Sequence, residues 1–261
     1  SISSAASDVY KRQKQDHRTS EELETNMIEF TTAFAKKFNK EPTVKWMDVV
    51  NETILPNGKW FGPKKGTNKW ENPWLKIGLD DNGCPLYILK AFEIATKYAT
   101  NIKLVYNHNA GMESLMWDKV KETILYIRSK GYRVDGIGWQ AHIGPNASTK
   151  AILENTDQEL RKLSDLIDWA HKNNLEFHIT ELDYFVKDNN KLSEEYQKQA
   201  EIYAKIVNIL REKIKSGVVT LNFWDMAVRT RKGKDGTFHS IYDSDFKPTP
   251  AYKAINLSSK N

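Results

Sequence analysis

Apolar side chains recur along this chain with two alternating periods. From Thr19 onward, Leu23, Met27, Phe30, Phe34 and Phe38 fall three or four residues apart, which makes one stripe of a helix. Thr19 and Glu22 have the spacing of a capping box at its start. The apolar run 44–50 predicts a strand that ends in Asn51 and Glu52. A long segment over 53–83, interrupted by glycine and proline, then carries Trp60, Trp70 and Trp74. Loops of that length are usually functional or disordered. Beyond it the alternation is regular. A helix from near Pro85 carries Ile88, Phe92, Ala95 and Ala99, and a strand over 102–107 follows. A helix over 114–130 stops at Gly131 and leads to a strand over 134–142. Thr156 and Glu159 have capping spacing ahead of Leu160, Leu163, Ile167 and Ala170, and a strand over 175–181 comes next. A helix over 193–216, stopped by Gly217, precedes a strand over 218–225, and a short helix starts near Pro250.

Strand and helix alternating every 40 or so residues predicts a parallel sheet with crossover helices, hence an α/β fold. The strands are rich in Val, Ile and Leu, as in sheets buried on both faces. A doubly wound sheet and a barrel both fit that pattern. No glycine-rich phosphate loop follows any strand, which lowers the weight of nucleotide-binding versions.

Composition narrows the class. Of 261 residues, 39% are hydrophobic and 28% charged, as in folded globular chains. No apolar run approaches the ~18 residues of a membrane span, so no membrane partner is expected. The single cysteine, Cys84, excludes an internal disulfide and a multi-cysteine metal site. The net charge of +5 is spread among interleaved acids and bases, and the densest basic stretches, 11–14 and 229–234, are short, so nucleic acid is not the expected partner either. Residues 1–7 are small and polar and lack the charged and apolar regions of a signal peptide. The expected organisation is a tail or join to an upstream segment over 1–18, one folded segment over 19–257, and a tail over 258–261.

The candidate chemistry lies at strand ends, where α/β proteins gather reactive groups. Glu181 and Asp183 share a face at the end of one strand, and Gln140 and His142 share a face at the end of another. The first strand ends in Asn51 and Glu52, and the last contains Trp224 and Asp225. Two carboxylates facing each other across a sugar are what glycosidic cleavage requires. One holds a proton for the leaving oxygen, and the other is ionised to attack the anomeric carbon. Read singly, each of these groups could equally be a rim salt bridge, a core histidine or a core tryptophan.

The segments Asp48-Val49-Val50-Asn51-Glu52 and Ile179-Thr180-Glu181-Leu182-Asp183 resemble the two signatures of glycoside hydrolase family 10, mainly endo-β-1,4-xylanases. The run from Val134 to His142 resembles that family's D-G-I-G-x-Q-x-H segment. The residues from Lys103 to Asn107 resemble the strand between, and those from Thr249 to Ile255 resemble its closing segment. The resemblance implies a (β/α)8 barrel type, incomplete here with about five β/α units, in which Glu52 is the general acid/base and Glu181 the nucleophile of a retaining double displacement. It further implies that Asn51, Asn107, Gln140, His142 and Trp224 bind the sugar. Asp183 would orient His142, which in turn holds Glu181 ionised. Neither a metal nor an organic cofactor is implied. The implied partner is xylan or its oligosaccharides, and because a polymer cannot enter a cell, a secreted or periplasmic site is expected. The family's first three strands and its W-H-x-Q segment have no counterpart, so an upstream segment completing the barrel, or self-association, is expected as well. Met47, His108, Asn109 and Asp225 depart from the family pattern, and the stretch up to Ile241 lacks its second tryptophan. A sugar-binding relative without turnover, or a hydrolase of another β-glucan, stay open as alternatives.

Overall fold

The computed structural model describes residues 18–63, 72–145, 148–186, 191–227, 229–230 and 237–258. Trp70 and nearly all of both tails expected from the sequence lie outside the described residues. The chain divides into two compact units, one of residues 1–108 with 114–136, the other of residues 109–113 with 137–261.

The first unit opens with α1 (Ser20–Phe38), whose capping box forms as its spacing predicts. The Thr19 N–H donates to Glu22 Oε2 at 2.8 Å, and the Glu22 N–H donates to Thr19 Oγ1 at 3.2 Å. Leu23 and Met27 are core residues. The stripe then surfaces: Phe30 is 54% exposed, and Phe30, Phe34 and Phe38 form a row with ring centroids 5.7 and 4.5 Å apart. Strand β1 (Trp46–Asn51) pairs in parallel with β2 (Lys103–His108), in a register that sets Asn51 beside Asn107. A short 3-10 turn (Pro73–Ile77) sits in the long connection between them. Helix α2 (Leu86–Tyr98) buries Ile88, Phe92 and Ala95, the face its periodicity predicts. Helix α3 (Ser114–Ser129) buries Met116, Trp117, Val120, Ile124 and Ile127. After it, the Arg133 guanidinium holds the Asp135 carboxylate at 2.6 Å and the Ile102 carbonyl at 2.7 Å.

The second unit opens with β3 (Gly136–Trp139), whose four residues are all buried. Here the structure corrects the sequence reading. The strand expected over 134–142 breaks at Ala141, whose φ is +61°, and resumes as β4 (His142–Ile143). Helices α4 (Lys150–Glu154) and α5 (Thr156–Lys172) follow with no side-chain cap. Thr156 is already helical and donates its hydroxyl to the Ile152 carbonyl at 2.8 Å, so the expected capping pair does not form. Glu159 is buried and accepts from Lys162 Nζ at 2.7 Å instead. Strand β5 (Glu176–Val186) runs five residues past its expected end and is the hub of the unit. It pairs in parallel with β4 and with β6 (Val219–Phe223), and antiparallel with the short hairpin of β7 (Arg229–Thr230) and β8 (Thr237–His239). The last expected strand thus stops at Phe223, before Trp224. Helices α6 (Leu192–Lys213) and α7 (Pro250–Ser258) complete the unit. The α/β class is as expected, and neither unit by itself closes a barrel.

Candidate active site

In the first unit, the end of β1 delivers Asn51 and Glu52. Glu52 is half-buried and has φ +54°, a left-handed conformation that costs an L-residue roughly 1–3 kcal/mol and persists only where neighbours enforce it. The neighbour is β2. The Glu52 N–H donates to the Asn107 carbonyl at 3.3 Å. The hydroxyls of Thr53 and Tyr106 share a hydrogen bond of 2.5 Å. The Ile54 N–H donates to His108 Nε2 at 3.0 Å. Asn107, Tyr106 and His108 are all fully buried.

In the second unit, the pleat of β5 puts Glu181 and Asp183 on one face, both buried. The register sets His142 opposite Asp183. Its Nδ1 lies 2.7 Å from Asp183 Oδ1 and its Nε2 lies 3.1 Å from Glu181 Oε2. An ionised carboxylate only accepts, so to satisfy both the ring must donate from both nitrogens, which is the imidazolium. Burial alone would pull the His142 pKa down. The hydrogen bonds and charges of Asp183 and Glu181 outweigh it and push the pKa up to about 9. The other oxygen of Glu181, Oε1, is buried without a hydrogen-bond partner among the described residues. That leaves one carboxylate oxygen anchored and the other free to react.

Aromatic rings enclose this carboxylate–histidine chain. Trp224, held after β6 by its N–H to the Leu182 carbonyl at 3.2 Å, meets His142 edge to face at 6.0 Å. Phe238 of β8 approaches His142 at 6.5 Å and Phe185 at 4.9 Å. Gln140 is buried at the end of β3, next to Trp139, whose indole donates to the Ala110 carbonyl at 2.8 Å.

The structure therefore gathers Asn51, Glu52 and Asn107 in the first unit, and Glu181, Asp183, His142 and Trp224 in the second, with Gln140 buried in the break between β3 and β4. Sequence reasoning missed Thr53, Tyr106 and His108, although two of them share the alternating face of β2. It also missed Phe238, because a three-residue strand has no usable period. Of the loop tryptophans, Trp60 and Trp74 are described, the second through its backbone N–H. Trp60 donates its indole N–H to the Gly83 carbonyl at 2.9 Å beneath Lys119, and the Trp74 N–H is capped by Asn72.

A family model described as glycosyl hydrolase family 10 matches residues 7–257. Endo-1,4-beta-xylanase A of Thermoanaerobacterium saccharolyticum is 28% identical over 244 residues, covering 91% of this chain and 18% of its own length. Exoglucanase XynX of Acetivibrio thermocellus is 29% identical over 244 residues, covering 91% of this chain and 20% of its own length. Xylanase 10B of Thermotoga petrophila RKU-1, solved in complex with xylobiose, matches with a TM-score of 0.71 and 26% identity, covering 93% of this chain and 67% of that one. The chain spans about a fifth of the length of those two curated relatives.

Proposed function

This chain belongs to glycosyl hydrolase family 10, and from that premise we propose that it is the catalytic part of a retaining endo-glycosidase that cleaves β-1,4-xylan. Glu181 Oε1 attacks the anomeric carbon while Glu52 gives its proton to the leaving glycosidic oxygen. The C–O bond breaks and a glycosyl ester of Glu181 forms. Glu52, now ionised, takes a proton from water, the water oxygen attacks the same carbon, and Glu181 leaves as carboxylate with the configuration retained. Asp183 holds His142 as a cation, and that cation binds Glu181 Oε2 and fixes which of its oxygens is free. Asn51, Asn107 and Gln140 hydrogen-bond the sugar, and Trp224 provides its floor.

The observation that supports this reading most is the chain Asp183–His142–Glu181, with Oε1 buried and unengaged. A group costly to bury without a partner is kept at the place where a bond to carbon would satisfy it. Xylan is the substrate favoured by the names of the relatives and by the xylobiose in one solved neighbour. The exoglucanase among the relatives supports a second reading, hydrolysis of a β-glucan. A polymeric substrate makes a secreted or periplasmic location part of the proposal, and association with an upstream segment or a second copy belongs to it too. Reducing-sugar release from xylan, set beside mixed-linkage glucan and aryl cellobioside, tests both readings. Release from xylan that vanishes in Glu181→Gln is the expected result. Binding of xylo-oligosaccharides without release would mean a sugar-binding relative.

A further inference from the structure

We propose that His108 is a positioning residue for Glu52, acting through the backbone of Ile54. The proposal rests on Glu52 being the acid/base. Glu52 occupies the left-handed region at φ +54°, and three consecutive residues are tied to three consecutive residues of β2 from that point. The Glu52 N–H is bound to the Asn107 carbonyl, the Thr53 hydroxyl to Tyr106, and the Ile54 N–H to His108. The first tie is long, at 3.3 Å, and lies on the near side of Glu52. The turn beyond Glu52 is closed on itself, with the Phe61 N–H donating to the Thr53 carbonyl and the Leu55 N–H donating to the Lys59 carbonyl. The side-chain ties of Tyr106 and His108 thus join this turn to β2 on the far side of Glu52.

The His108 tie has a definite chemistry. A backbone N–H can only donate, so Nε2 must be the unprotonated nitrogen and the ring is the neutral tautomer with its proton on Nδ1. The ring is fully buried, and its edge-to-face neighbour Trp117, 5.9 Å away on α3, limits its rotation. Removing the acceptor leaves the Ile54 N–H buried and unpaired and relieves the enforcement of the strained Glu52 backbone. A misplacement of about 1 Å in an acid/base group costs up to roughly 100-fold in rate.

The test compares His108→Leu, His108→Gln and His108→Asn. The Gln oxygen reaches the Nε2 position and can accept, whereas Asn reaches only as far as Nδ1. The first readout is amide hydrogen exchange at Ile54. Exchange should accelerate in Leu and Asn and return toward wild type in Gln. The second is kcat/KM, which reports the glycosylation step, on xylan against an aryl xylobioside with a nitrophenol leaving group, which departs with little help from an acid. In Leu and Asn, kcat/KM on xylan should fall roughly 10- to 100-fold with KM little changed, that on the nitrophenyl substrate should fall far less, and Gln should recover most of the loss. Unchanged Ile54 exchange in a folded Leu or Asn variant would overturn the proposal, and so would equal losses on both substrates. If Leu does not fold, the comparison of Asn with Gln decides by the same criteria. Full xylan turnover in Glu52→Gln would refute the acid/base reading, and the exchange measurement would still decide whether His108 holds the turn.

Discussion

Asp183→Asn should uncouple His142 from its charge while keeping the side-chain shape. Asp183 Oδ1 lies 2.7 Å from His142 Nδ1, with Glu181 Oε2 at 3.1 Å on the other nitrogen. Against the cost of burial, these two carboxylates raise the His142 pKa from the ordinary 6.5 to about 9. That rise corresponds to roughly 3 kcal/mol of favourable interaction with the cation. The folded-state pKa exceeds the unfolded one. The stabilisation is therefore complete below pH 6.5 and is lost as pH rises through about 9. A chain of this size changes its melting temperature by roughly 2–4 °C per kcal/mol, so wild type should lose several degrees across that window from this group alone. In Asp183→Asn the shorter contact keeps its geometry without charge, His142 titrates nearer neutrality, and most of that alkaline loss disappears. Titration of the His142 ring by NMR, alongside melting temperatures across the same pH range, measures both effects. A wild-type His142 that titrates at its ordinary value would refute the reasoning, as would a variant with the same alkaline slope.

Other consequences are as direct. Glu52→Gln should lower xylan turnover by about 10²–10⁴-fold and spare the glycosylation step of nitrophenyl substrates, as burst kinetics would show. His178 and His239 behave oppositely to His142. Burial lowers both to about 4, so their contribution is complete above pH 6.5 and lost as pH falls through 4. Replacing His178 by Gln should flatten the acid side of the stability curve measured by denaturant titration. At Gly111 an added Cβ would lie 2.3 Å from the Ser148 carbonyl oxygen, so Gly111→Ala should cost about 1–3 kcal/mol in the same titration.

Much of this was legible in the chain because it is local. The Thr19–Glu22 box, the buried faces of α2 and α3 and the run into Glu181 and Asp183 depend on spacing alone, and spacing survives folding. What the sequence concealed depends on partners distant along the chain. Thr156 looks like a cap, but α4 ends only two residues earlier, so its hydroxyl finds the Ile152 carbonyl instead. Phe30, Phe34 and Phe38 continue the period of Leu23 and Met27, yet farther along α1 it is Ala35 that is buried, while Phe30 is exposed and Phe34 and Phe38 are half-buried. The break at Ala141 falls on neither a glycine nor a proline; the nearest, Gly138 and Gly144, lie three residues to either side. Tyr106 and His108 read as ordinary alternation along β2, and only the pairing of β1 with β2 brings the turn after Glu52 onto them. The role of His142 required the parallel register with β5, which sets it opposite Asp183.

The central claim is that Glu181 forms a covalent bond to the sugar. An activated 2-deoxy-2-fluoro-xylobioside slows both displacement steps, and its good leaving group restores the first, so the glycosyl ester accumulates. Mass spectrometry of the treated chain should show one added fluoroxylobiosyl group, mapped to the peptide that carries Glu181 and absent from Glu181→Gln. A label on another carboxylate, or full turnover of xylan with no label at all, would contradict the account.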